Sequence, residues 1–373
     1  MKKIRILYTI PNFDTAGSGI ALMKMCTRLD LNVFEPMIVC LHDRGAYFEE
    51  VRRSGIPVYV FPYLSDLKPR WRLLLNVFRI SRFFRSLSPD IVFSYHYAPN
   101  FSEAIAAKLA GCKFAYVKKN MGWEGPSRNQ WKIRTWLSDA ITVQNTDMMK
   151  TFFPGNKKAR LVSIGVDQEE FHPRLPSPYV RSELGIDADS KVIVCVANLI
   201  PKKGIEYLIR GFVACSGFQQ SRLVIVGNHQ TILWDETRAL MESLSVGDRV
   251  IFTGKRSDIP AVLSIADLFI LPSTGDEGAP IAIQEAMTLG IPVITTDTPG
   301  NRDQLDTLRD QLIPPNNAQA IASAIDRMLA LDQQLRDSII AQQWDIIDKR
   351  YSLKEEVRQH EALYKELVMH KSR

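Results

Sequence analysis

Short apolar runs recur along the chain with helical or polar stretches between them. In the first half they fall at Ile4–Ile10, Met37–Leu41, Val58–Phe61, Ile91–Tyr95, Phe114–Val117 and Ile141–Gln144. In the second half they fall at Lys191–Ala197, Arg222–Val226, Val250–Thr253, Leu268–Leu271 and Pro292–Thr295. Continuous apolar runs of this length suit strands buried on both faces. Strands alternating with helices predict parallel sheets covered on both sides. The alternation occurs twice, which predicts two Rossmann-like α/β domains, residues 1–173 and 174–350. Arg174–Ser182, with few apolar residues, reads as the linker. Ala318–Leu331 and Leu335–Arg350 read as helices over the second domain. Leu353, Val357, Leu363 and Leu367 place a last helix within 351–373.

One stretch carries the most chemistry, Leu271–Thr296. The strand ends at Pro272, and a loop of small and acidic residues follows. Proline suits a first helical turn, so a helix begins near Pro280. Glycine caps a helix C-terminus, so it ends at Gly290. Glu277 stands in the loop and Glu285 in the second turn. The N–H groups around Gly278, Ala279, Pro280 and Ile281 form a helix mouth that binds phosphate without a basic side chain. Carboxylates beside a phosphate site suit a ligand with both charge and hydroxyls, such as a nucleotide sugar. The competing reading is a helix with acidic residues near its positive end.

At 373 residues the chain has room for two domains, and its composition is that of a soluble globular protein. No apolar run reaches the ~18–20 residues of a spanning helix. Met1-Lys2-Lys3 leads straight into a short strand, which does not read as a signal peptide. Five cysteines without a CxxC pair read as buried thiols of a reducing cytoplasm. The net charge of +6 divides into +13 over residues 1–165 and −7 over the rest. That asymmetry predicts an anionic partner for the first half, an anionic membrane surface at the inner face rather than nucleic acid. In Pro69–Leu87, Arg70, Arg72, Arg79, Arg82 and Arg85 alternate with Trp71, Leu74, Phe78 and Phe83. This is either a basic helix lying on an anionic bilayer or a crossover helix with snorkelling arginines. Zinc-ligand spacing, a Walker lysine motif and a GxSxG elbow are all absent from the sequence.

Glu277-Gly278-Ala279-Pro280 and Glu285-Ala286-Met287-Thr288-Leu289-Gly290-Ile291-Pro292-Val293 resemble the EGxPxxxxEAMAxGxPV signature of the family 4 retaining glycosyltransferases. Asn198-Leu199-Ile200-Pro201-Lys202-Lys203-Gly204 resembles that family's G-R-L-x-P-x-K-G, and Ile164-Gly165-Val166-Asp167 with Phe171 and Pro173 resembles its NGVDxxxFxP hinge. The resemblance implies a GT-B fold, two facing Rossmann-like domains with a C-terminal helix returning to the first. It assigns Glu277 to the donor sugar, Glu285 to the ribose and Lys203 to the diphosphate. Asn198 stands where an arginine is usual, leaving one cation unless Lys202 or Arg256 contributes. The Gly254-Lys255-Arg256 loop borders the nucleobase. Arg256 then stacks on a base or pairs with phosphate, unless it is an exposed turn. Gly17 and Gly19, in a turn before a helix from Ile20, close over the donor diphosphate or the acceptor.

His96, at a strand end, either touches the acceptor or is structural. In Lys118-Lys119-Asn120 many family members carry a histidine where this chain has Asn120. The lysine pair either binds an acceptor phosphate or is solvated surface. The implied activity is retaining transfer from a nucleotide-diphosphate sugar, UDP being commonest, with no metal or other cofactor. The charge division, with the Arg-rich stretch and Lys118-Lys119 in the first half, points to a lipid-linked saccharide acceptor of envelope or exopolysaccharide synthesis. The competing reading is that the basic residues aid solubility and the acceptor is a soluble sugar or small molecule. The alternatives are a nucleotide-sugar epimerase of the same architecture and a non-catalytic nucleotide-sugar sensor.

Overall fold

Strands that are apolar on both sides need cover on both sides, and each half of the chain supplies it. The computed structural model describes residues 2–13, 16–45, 47–96, 98–122, 127–275 and 277–369. Seven strands form one sheet: β1 (Ile4–Ile10), β2 (Phe34–Cys40), β3 (Val58–Val60), β4 (Ile91–Ser94), β5 (Lys113–Lys118), β6 (Ala140–Val143) and β7 (Ala159–Leu161). Their order is β3-β2-β1-β4-β5-β6-β7. Six more form a second sheet: β8 (Lys191–Val196), β9 (Ser221–Val226), β10 (Val250–Gly254), β11 (Leu268–Leu271), β12 (Val293–Thr296) and β13 (Leu312–Ile313). Their order is β10-β9-β8-β11-β12-β13. Every pairing described is parallel. The apolar pattern does not predict β7 or β13, which at three and two residues leave almost no run to read.

The first sheet shows why its runs do not alternate in polarity. Ile6, Tyr8 and Ile10 of β1 enter one core, and Leu7 enters the other. In β5, Ala115 and Val117 go to the first core, Phe114 and Tyr116 to the second. Successive side chains point to opposite faces, and helices make both faces apolar. The second sheet has one continuous core, with Leu268, Phe269, Ile270 and Leu271 of β11 all solvent-free.

The chain divides into two units, residues 1–164 with 353–373 and residues 165–352. Both points of passage lie together, since Val166 donates to the Tyr351 carbonyl at 2.7 Å and pairs with Ser352. Residues 174–182 are not simply a linker. Ser177 caps a short helix, Pro178–Glu183, whose Val180 is fully buried in the second unit's core. The last helix, Leu353–Met369, belongs to the first unit and buries Val357, His360, Tyr364 and Leu367 at helical spacing. Tyr8 of β1 donates to Tyr364 Oη at 2.9 Å, which fixes the helix against the sheet. Among the described residues no helix is long and apolar enough to cross a membrane.

In each sheet the strand order reverses once, between β1 and β4 and between β8 and β11. Connections leave such neighbours in opposite directions and open a crevice at their C-terminal ends, where open α/β sheets take ligands.

Candidate active site

The loops after β8 and β11 meet at the second crevice. After β8 the chain runs into a 3-10 turn, Pro201–Lys203, closed by Gly204 at φ +64°. A Cβ on Gly204 would stand 2.1 Å from the Pro272 carbonyl oxygen, so only glycine lets the two loops touch. Thr274 N donates to the Lys202 carbonyl at 2.8 Å, and Thr274 Oγ1 to that of Pro201 at 3.2 Å. This stitching brings together two residues the sequence assigns separate roles. Lys203 Nζ lies 2.8 Å from Glu277 Oε1, with the side chains 16% and 8% exposed. Ser273 Oγ donates to the same carboxylate at 3.2 Å, and the more exposed Lys202 Nζ reaches it at 3.4 Å.

Past Glu277, Pro280 occupies the N-cap of the helix Ile281–Thr288, and no side chain caps it. The positive end of this helix therefore follows the ion-paired Glu277 closely in the chain and carries no side-chain cap. Glu285 shares a partly exposed face with Ile281 and Ala282, while Ile283, Gln284, Ala286 and Met287 are buried. The helix stops as expected. Gly290 takes φ +78° and donates to Met287 O at 3.0 Å, and Ile291 donates to Ala286 O at 3.1 Å, a Schellman motif.

The remaining donor-side candidates differ in how far the fold has already engaged them. Asn198 is exposed, and its Oδ1 accepts from Asn228 N at 2.8 Å, tying the loop after β9 to that after β8. Gly254 ends β10 at φ +77° and Lys255 is exposed. Arg256 is neither a free cation nor an exposed turn. It pairs with Glu183 at 2.7 and 2.9 Å and with Asp258 at 2.8 and 2.7 Å. Those hydrogen bonds raise its pKa further and leave little of the fork for phosphate. Gly17 and Gly19 lie inside the helix Ala16–Arg28, which begins before Ile20. A Cβ on Gly19 would stand 2.8 Å from Phe13 Cδ1, so its smallness serves ring packing there. Asp14 and Thr15 lie outside the described residues.

At the first crevice the charges turn inward. Glu103 and Arg134 are wholly buried and 3.5 Å apart. Glu103 accepts from Thr9 Oγ1 of β1 and from Ser94 Oγ of β4 at 2.9 Å. Arg134 donates to Ser94 Oγ at 2.6 Å and to the carbonyls of Ala98 and Asn100 at 2.7 and 2.9 Å. Burial raises the Glu103 pKa, and Arg134 opposes it. The sequence reading misses this pair because its members come from two helices and bridge two strands, with no motif between them.

Arg134 thereby holds the loop that carries His96. Burial, then the Arg134 charge, push the His96 pKa down to about 4. Its Nδ1 lies 3.2 Å from Ala98 N and 3.3 Å from the Ala98 carbonyl oxygen, so the ring is held by that one residue's backbone. The lysine pair is not solvated surface. Lys118 is buried over the Trp131 ring and donates to Asn120 O, Asn120 Oδ1 and Gly122 O at 2.6–2.7 Å. Lys119 Nζ lies 4.0 Å over the Tyr95 ring. Burial pushes both amines down to about 7, against Glu356 of the last helix for Lys119. Asn120 is exposed and serves as an acceptor for Lys118. Tyr97 and Trp123, beside these segments, lie outside the described residues.

Known proteins resemble this chain in sequence and in fold. Residues 15–170 match the model of Glycosyltransferase Family 4, and residues 178–343 that of Glycosyl transferases group 1. The putative teichuronic acid biosynthesis glycosyltransferase TuaC of Bacillus subtilis is 34% identical over 294 residues, 74% of this chain and 72% of its own. The chain belongs to the family 4 glycosyltransferases. A second relative within reach of this family 4 chain is the Escherichia coli UDP-Gal:alpha-D-GlcNAc-diphosphoundecaprenol alpha-1,3-galactosyltransferase. It is 27% identical over 257 residues, 64% of this chain and 66% of its own, so the chain spans just under two thirds of that relative. HepE of Anabaena, solved in complex with UDP, superposes with a TM-score of 0.82 at 21% identity, over 98% of this chain and 100% of its own. The fold is GT-B.

Proposed function

We propose that this family 4 chain transfers a sugar, with retention, from a UDP-sugar to a saccharide acceptor carried on a lipid. The setting is envelope or exopolysaccharide synthesis at the cytoplasmic face of the membrane. The observation that carries the reading is the Lys203–Glu277 pair at 2.8 Å, followed in the chain by the helix Ile281–Thr288, whose positive end no side chain caps. A cation, a helix terminus and a carboxylate on one crevice suit a diphosphate joined to a hydroxylated ring. The names of the E. coli and B. subtilis relatives support the setting, and the UDP of HepE supports the nucleotide.

In this mechanism the anomeric C–O bond to the diphosphate breaks while the acceptor oxygen bonds to the same face of the anomeric carbon. The acceptor proton passes to the departing phosphate oxygen. Lys203 and the helix terminus take up the negative charge that grows on the diphosphate, the place a divalent cation holds in metal-dependent transferases. Donors fixed in advance at developing charge are often the largest catalytic contribution. Glu277 positions the sugar hydroxyls and Glu285 the ribose. Recognition of the acceptor falls to the first unit, with His96, Lys119 and Asn120 at the ends of β4 and β5.

A screen of UDP-, GDP- and ADP-sugars by thermal shift tests the donor, since a ligand bound only by the folded state raises its stability. Turnover of labelled UDP-sugar with a lipid-linked saccharide, in the presence of EDTA, tests the reaction. Stabilisation by none of the three, or hydrolysis and epimerisation without transfer, would reject the reading.

A further inference from the structure

The helix Arg70–Leu87 has two apolar faces where a crossover helix needs one. Val77, Ile80, Ser81 and Phe84 are buried against the sheet. On the other side Trp71, Leu74, Leu75 and Phe78 follow at positions i, i+3, i+4 and i+7, and are 59%, 71%, 63% and 59% exposed. Single exposed apolar residues are ordinary, but a contiguous stripe of four large ones marks a binding surface. Exposed Leu175, Ile232 and Leu335 elsewhere are isolated by comparison.

The charge around the stripe selects the occupant. Arg72 and Arg79 flank it and Arg82 continues it. No acidic residue occurs between Asp66 and Asp90. Among the described residues no carboxylate pairs with Arg70, Arg72, Arg79, Arg82 or Arg85. Phe83, which alternates with the arginines along with Trp71, Leu74 and Phe78, instead stacks on Phe61 with centroids 3.9 Å apart. The helices Ser102–Leu109 and Arg128–Leu137 cover the same side of the sheet, because Ala104 and Trp131 join Val77 and Phe84 in one core. They add exposed Leu109 and Trp136 to that side.

We propose that the outer face of the helix Arg70–Leu87 docks the protein onto an anionic lipid bilayer. Trp71, Leu74, Leu75 and Phe78 enter the headgroup boundary, and the arginines meet the lipid phosphates. An amphipathic face with aromatic tips and a basic rim binds in this way, in proportion to buried apolar area and surface charge. The assignment deepens the reading of a lipid-linked acceptor and rests on it only for the reason to visit the membrane. Vesicle binding itself is read without donor or acceptor, so its failure leaves the transferase reading standing.

The full chain is sedimented with vesicles of phosphatidylglycerol or of phosphatidylcholine, at low and high salt. The wild type should bind the anionic vesicles, and salt should weaken the binding because it screens surface charge. Leu74→Gln with Phe78→Gln should lower the partition coefficient at least ~tenfold. Both side chains point outward, so the melting temperature and the UDP-sugar shift should hold. Arg72→Gln with Arg82→Gln should lower binding to phosphatidylglycerol alone, and covers the case where the apolar variant fails to fold. Equal binding to both lipids would overturn the proposal, as would wild-type binding by either double variant. A wild type that ignores vesicles but forms dimers broken by Leu74→Gln and Phe78→Gln would also overturn it, making the face a contact between copies.

Discussion

The two crevices sit at the same place in the same kind of sheet, yet they treat charge oppositely. At β8/β11, Glu277 meets Lys203 and Lys202 on loops with some exposure, and an uncapped helix end follows in the chain. At β1/β4, Glu103 and Arg134 are enclosed, and between them engage Thr9, Ser94, Ala98 and Asn100. A carboxylate and an ammonium near solvent can exchange each other for a ligand at modest cost. A buried pair cannot, because removing either partner strands a charge in low dielectric. The second crevice therefore suits chemistry, and the first suits holding a loop in place.

The largest expected effect tests the enclosed pair. Arg134→Met should cost about 3–5 kcal/mol, read by denaturant unfolding, because Glu103 is left without its cation. Glu103→Met added to it should recover much of the loss. Affinity for UDP-sugar should survive in the folded single variant. If nucleotide binding falls as far as stability does, the division of labour between the crevices is wrong.

Lys203→Ala reverses the pattern. Turnover at saturating donor should fall by roughly 10²–10³, the usual cost of one preorganised donor to developing charge. Stability should change little, since Lys202 still faces Glu277. Unaltered turnover would remove Lys203 from the mechanism. Smaller again is Glu285→Ala, which should weaken UDP binding by about 1.5–3 kcal/mol through the loss of one charge-assisted hydrogen bond. Calorimetry with UDP alone measures it, and wild-type affinity would free Glu285 from the ribose.

The mildest test is a pH slope in the first unit. Lys118 titrates at about 7 in the folded chain, chiefly through burial and then through repulsion by Arg134. An unfolded lysine titrates near ~10.4. Between these values the unfolded chain holds the extra proton, so stability should rise from about pH 7 to about pH 10. Below pH 7 the penalty is fully present, and above the upper value it is gone. Lys119, also pushed down to about 7, adds a slope over the same window. Lys118→Met should therefore make that part of the profile shallower, and Lys118→Met with Lys119→Met should flatten it. An unchanged slope in the double variant would assign it to another group.

The strands and the donor motif were legible in the sequence for local reasons. A strand covered on both faces must be a continuous apolar run, and β1, β8 and β11 read directly as such. The helix at Ile281 was legible because proline and glycine fix its two ends through their own backbone geometry. Strands of two or three residues, β7 and β13, were not legible, because so short a run carries no periodicity. Gly17 and Gly19 read as a turn between a strand and a helix from Ile20, closing by resemblance over the donor diphosphate or the acceptor, whereas the helix begins earlier, at Ala16, and Gly19 makes room for Phe13.

By itself, then, the sequence determined where the apolar runs lie, which segments end a helix, and that a carboxylate with a helix terminus belongs to one motif and a lysine to another. Only the tertiary structure decided which charges meet. Strand order brings the loops after β8 and β11 together, and so makes Lys203 the partner of Glu277. It also commits Arg256 to Glu183 and Asp258, turns Lys118 inward and leaves the Trp71–Phe78 stripe outward. The reason is physical. Propensity and periodicity act over a few neighbouring residues, but the energy of a charge depends on distance and on exclusion of water, and packing of distant segments sets both.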